Sequence, residues 1–309
     1  AQQTLEQMLE QLEEQEQIRR EILHRRLAGL VQAIRQLVNE QESQLERLAG
    51  AENLAGFDEA MLRLRRNTLA VAEQAREIDE STEQIAGHLD DAAGHQRDAV
   101  AALRGAPPDK AEADQAERLS LEQLNEALTL AEALAQQAAE EEMAARRAEL
   151  IKAYTLAIEQ QKAVMADTEA LGDVPADDRD RRWRAESMKL GGREADIRID
   201  LRKLAGEVEQ TVVYQSMHEE LDALTLDITS DLRQAKPGPQ VLFDQQTVIA
   251  MLEAMVESLK RDQPDNEFAG ADGGGGGGGG GGQPPLVPNS AELKLLRARQ
   301  QQLHALTRT

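Results

Sequence analysis

From Asp109 to Leu171 the chain carries neither Gly nor Pro and is crowded with Ala, Leu, Glu, Gln and Arg, residues that lose little on entering a helix. At ~1.5 Å per residue such a segment makes a rod of ~90 Å, far longer than the three or four turns of an ordinary globular helix. A rod of that length must bury a stripe along other long helices. The sequence supplies them on both sides.

Leu5, Leu9, Leu12, Leu23, Leu27, Leu30, Ile34, Leu37 and Leu48 follow the alternating four-and-three stride of a coiled-coil seam, with Glu16, Arg19, Gln41 and Gln44 as polar interruptions in register. Gly50 to Gly56 ends that helix. A second, with Asp58 as its expected cap, runs to Leu103 through a poorer seam. Gly87 and Gly94 predict bending within it, since each costs ~1 kcal/mol relative to Ala. Gly105-Ala106-Pro107-Pro108 stops it. The long third helix carries Leu121, Leu124, Leu128, Ala131, Ala135 and Ala138, then Leu150, Tyr154 and Ile158. A fourth spans about Asp177 to Ala235, with Gly191-Gly192 expected to divide or kink it and Ile197, Leu201, Leu204, Val208, Leu221, Leu224, Ile228 and Leu232 on its buried face. Lys236-Pro237-Gly238-Pro239 ends it, and a shorter amphipathic helix, capped by Asp244, covers Val241 to Arg261.

Neighbouring pieces of matched length with short connections favour antiparallel hairpins. The fold class expected is therefore all-α: elongated antiparallel coiled-coil hairpins built from four long helices, then a fifth. The expected segments are 1–104 and 109–235 as the two hairpins and 240–262 as the short helix, followed by 263–288 and 289–309. Segment 263–288 is acidic, Pro-rich and holds ten consecutive glycines, Gly273 to Gly282, which predicts a disordered tether. Segment 289–309 reads as a basic helix opening at Asn289 or Ser290. A seam this long can be completed within the chain or by a second copy in a homo-oligomer.

Composition narrows function mostly by exclusion. Aromatic residues are 2 % of the chain, which suits a thin Ala/Leu seam and not a thick core. Lys and Arg number 35 against 57 Asp and Glu, a net charge of −22 that repels nucleic acid. The absence of Cys removes disulfides and thiolate chemistry. No run of residues is long and apolar enough for a transmembrane segment. The start Ala1-Gln2-Gln3 fits a chain whose leader was removed after a small residue, and equally one trimmed at that point.

Three clusters could carry chemistry. Glu21 and His24 have the Glu-x-x-His spacing of carboxylate-bridged metal bundles, but those need it twice. His88, Asp91 and His95 share a helix face and could meet a divalent cation; the bland alternative is a polar surface. The run Arg179 to Arg184 holds the only Trp, Trp183, among acidic residues, and reads as a packed helix tip. No cofactor is expected, and neither a Gly-x-Ser-x-Gly elbow nor a phosphate loop is present.

The terminal stretch Pro284-Pro285-Leu286-Val287-Pro288-Asn289-Ser290-Ala291-Glu292-Leu293-Lys294-Leu295-Leu296-Arg297, closing on Leu306-Thr307-Arg308, resembles the tail of uncharacterised exported coiled-coil proteins of planctomycete-type bacteria. That resemblance implies a periplasmic or cell-envelope location and no established activity; a cytoplasmic location is the alternative. The function expected is a non-enzymatic scaffold or adaptor that offers the terminal helix to a protein partner through Leu293, Leu296, Arg297 and Leu303. The alternatives are a helix docked on its own bundle, a protein binding anionic lipid through that helix, and a metal-dependent helical-bundle enzyme.

Overall fold

A computed structural model describes the backbone of residues 2–260 and 286–306, and side chains for 11–12, 15–260, 286–288 and 290–300. Every regular element among them is helical: α1 Gln2–Ala49, α2 Phe57–Arg76, α3 Glu83–Leu103, α4 Lys110–Gly172, α5 Arg181–Glu207, α6 Val212–Arg233, α7 Pro239–Leu259 and α8 Asn289–Leu306, with 3-10 turns at Glu80–Thr82 and Ala176–Asp178. The fold is all-α, as the stride of the sequence requires. The decaglycine and the rest of the expected tether up to residue 285 lie outside the described residues; its last three residues are described, and Val287 is buried instead of belonging to a disordered tether.

The chain divides into two compact units, Ala1–Glu142 and Met143–Thr309, and α4 contributes to both. The boundary falls inside the longest helix. Within the first unit, α1 runs antiparallel to the first half of α4, as Arg35–Glu132 and Gln41–Ser120 show. The helices α2 and α3 fold against one another through Arg76–Asp90 and Arg104–Asp58. Leu30, Ile34, Met61, Ile85, Leu89 and Leu124 fill the space between them.

In the second unit, Arg198–Asp222 joins α5 to α6, Tyr214 on α6 bonds Ser258 on α7, and Lys162–Glu253 joins α4 to α7. Its core includes Leu150, Tyr154, Leu201, Leu221, Ile228 and Leu252. Each unit also buries a polar layer. Gln41, Gln96, Glu117 and Ser120 are wholly buried in the first, and Gln161, Thr168, Glu194 and Gln245 in the second.

Several helix ends differ from expectation. The second long helix is two, because Asp79 accepts a bond from the Ser81 amide and Thr82 bonds the Ala75 carbonyl, giving the backbone an alternative to helical pairing. The fourth is also two, but it breaks at Val208–Thr211 and not at Gly191-Gly192, which lie inside α5. Gly191 is there for clearance: a Cβ would stand 2.8 Å from Arg233 Cγ, 3.1 Å from Arg233 N and 3.2 Å from Thr229 O on α6. Gly87 and Gly94 do not interrupt α3. Asp58 and Asp244 are not caps. Gly56, at φ 84°, and Gly238 hold those positions, Asp58 pairs with Arg104, and Asp244 accepts from Gln240.

Candidate functional site

The terminal helix is seated by small and apolar residues one turn apart. Val287, Ala291 and Leu295 are each at most 4 % exposed and join the core of the second unit. Polar contacts fix its register: Arg299 donates to Glu220 on α6 at 2.6 Å, and Arg147 on α4 donates to the Leu286 carbonyl at 3.3 Å. The helix therefore lies on its own bundle, the docked arrangement that was the alternative to a free tethered ligand. Its other face remains open. Leu293 is 67 % and Leu296 48 % exposed, and Arg297 is exposed beside them. The structure thus brings three of the four sequence-chosen residues to one outward surface; the Leu303 side chain lies outside the described residues. The seat itself, Ala291 and Leu295, was not singled out from sequence, although their four-residue spacing one position off the Leu293 row marks a second face.

A concavity of about 430 Å³ opens between α5 and α6, lined by Arg198, Leu201, Arg202, His218, Glu219 and Asp222 among others. Arg198 and Arg202 each grip Asp222 with two N–H donors, at 2.8 and 3.0 Å and at 2.6 and 3.0 Å. Those bonds, with Arg202 the larger influence, hold the Asp222 carboxyl down at about 2. His218 forms the floor, its Nε2 2.7 Å from the Tyr154 hydroxyl on α4. Burial lowers the imidazole to about 4 and raises the phenol, so Tyr154 donates and a neutral His218 accepts. An imidazole whose Nε2 lone pair is taken and whose proton affinity is this low makes a poor general base. The groove joins α5 to α6 and presents no activated nucleophile.

The other sequence candidates are drawn into packing. His24 turns to Glu142 on α4, Nδ1 to Oε2 2.7 Å, while Glu21 pairs with Arg25. His88 meets Gln123 at 2.8 Å, and among the described residues no three His, Cys, Asp or Glu side chains gather as a metal site would need. Trp183 is buried at the turn between α4 and α5. Its indole N–H donates to the Leu171 carbonyl at 2.9 Å, the Arg179 guanidinium lies 5.0 Å from the ring centroid, and Asp180 caps α5. No described helix is long and apolar enough to cross a membrane. Compared with protein-family models, curated proteins and solved structures, the chain matches none of them.

Proposed function

We propose that the chain is a non-enzymatic helical scaffold whose docked terminal helix offers its outer face to a helix of a protein partner. The observation that carries this reading is the division of α8 into a buried face, Ala291 and Leu295, and an open one, Leu293 and Leu296. Two leucines three residues apart, with Leu303 continuing the row in the sequence, make the stripe that another amphipathic helix covers. Arg297 at its edge favours a partner with acidic flanks. Docking on the bundle removes the ordering entropy that a free helix loses on binding, which favours affinity. A cell-envelope location belongs to the same proposal and is supported by the resemblance of the 284–308 segment.

The test uses the full chain as bait. A protein captured in stoichiometric amount is purified and titrated against the wild type and the double variant Leu293→Asp, Leu296→Asp. Binding is expected to weaken at least ~10-fold, equal to ~1.4 kcal/mol, while the melting temperature stays unchanged. Equal affinity of the two proteins ends the reading. So does binding of the wild type to anionic vesicles with no protein partner.

A further inference from the structure

The buried polar layers go beyond anything the scaffold reading requires. In the second unit, Gln161 on α4 donates from Nε2 to Glu194 Oε2 on α5 at 3.0 Å, and Gln245 on α7 donates to Thr168 Oγ1 on α4 at 3.3 Å. Thr168 in turn donates to the Val164 carbonyl. Three oxygens are then left without a donor: Oε1 of Gln161, of Glu194 and of Gln245. All three residues are fully enclosed. Among the described residues no Lys, Arg or His side chain bonds the Glu194 carboxyl, whose close donor is the neutral amide of Gln161. A proton on Glu194 Oε1 turns one orphaned acceptor into a donor inside the enclosed layer.

We infer that Glu194 is a proton-binding site whose neutral acid supplies the donor missing from this layer, and that losing the proton loosens the packing of α4, α5 and α7. The charged groups around it do not stabilise an anion there. Arg193 on α5 is paired with Asp167 on α4, Lys162 on α4 with Glu253 on α7, and Arg198 on α5 with Asp222 on α6. On α6, Thr225 and Thr229 are buried, and the Arg233 side chain lies across Gly191, one turn before Glu194 on α5. Burial dominates and carries the Glu194 acid up to about 7, against which the amides of Gln161 and Gln245 act only in part. The first unit has a counterpart. Glu117 is fully buried with neither carboxyl oxygen bonded, and burial, with Asp114 nearby, raises it to about 7 as well.

The sign follows from proton linkage. The folded state holds the proton more tightly than the unfolded chain, so stability from Glu194 is complete below pH 4.5 and is lost as pH rises through about 7. The experiment is a carboxyl-carbon NMR titration of the full chain, with the Glu194 resonance assigned by its loss in Glu194→Gln, an uncharged mimic of the protonated acid. Hydrogen exchange of α5 is measured in parallel at about pH 5.5 and about pH 8, corrected for intrinsic rates. The Glu194 carbon is expected to titrate near 7, and α5 protection to fall at least ~10-fold at the higher pH in the wild type but not in Glu194→Gln. Titration near 4.5, or equal α5 protection at both pH values in the wild type, overturns the inference. If the variant does not fold, assignment passes to Glu194→Asp and the wild-type titration decides by itself.

Discussion

Leu201 and Glu16 both occupy heptad-spaced positions, but water reaches only one of them: Leu201 is 3 % exposed, while the Glu16 side chain is 72 % exposed. Leu201→Asp places a carboxylate in the core that also holds Ile197, Leu221 and Ile228, next to arginines already paired with Asp222, and is expected to cost ~3 kcal/mol. Glu16→Lys is expected to stay within ~0.5 kcal/mol. Thermal melting followed by circular dichroism checks both, and equal effects would remove the assignment of the seam. The buried glutamates were partly legible at this scale. Glu194 falls on the stride Leu190, Ile197, Leu201, and Glu117 on the stride Ala113, Ser120, Leu124, so each was visible as a polar residue on an apolar row. What periodicity cannot show is whether Gln161 and Gln245 arrive beside the carboxylate, because they come from helices tens of residues away. The seat of α8 was hidden for the same reason, while its outward leucines could be read from spacing.

Two adjacent glycines on α5 separate packing from propensity. Gly191→Ala drives a Cβ against the α6 backbone, at 3.1 Å from Arg233 N and 3.2 Å from Thr229 O, which the helices can relieve only by moving apart. It is expected to destabilise by ~1–3 kcal/mol. Gly192 has nothing within 4 Å, so Gly192→Ala is expected to stabilise by ~0.5–1 kcal/mol through helix propensity alone. Urea midpoints of the two variants decide; a shift in the same direction would show that the close approach of α5 to α6 is wrong. From sequence the pair looked like a helix break. The real break comes at Val208–Thr211, where Thr211 with Val212 and Val213 places three stiff β-branched side chains in a row. The α2–α3 break had a comparable signal in Asp79-Glu80-Ser81-Thr82, all but one of them good cap residues.

Across the whole chain, pH acts from two sides. Glu117 and Glu194, raised to about 7 by burial, contribute stability that is complete below 4.5 and lost as pH rises. His218, lowered to about 4 by burial, works the opposite way: its contribution is complete above 6.5 and lost as pH falls. Asp222, held at about 2 by its two arginines, loses its contribution only as pH drops below 3.8. Two glutamates outweigh one histidine, and the net charge of −22 at pH 7 adds self-repulsion. The melting temperature is therefore expected to be higher at about pH 5.5 than at about pH 8, with salt narrowing the difference. A higher value at pH 8 would contradict the balance drawn here.

The sequence by itself determined that this chain is all-α, that one helix runs unbroken for more than sixty residues, and which stripe of each helix is apolar, because propensity and stride act between residues a few positions apart. Only the tertiary structure decided that this helix serves two units, that α8 lies with Ala291 and Leu295 inward, and that the Gly191 hydrogen and the Glu194 carboxyl meet neighbouring helices. Those outcomes depend on how closely two helices approach, and the distance between residues far apart in the chain is set by the fit of whole surfaces.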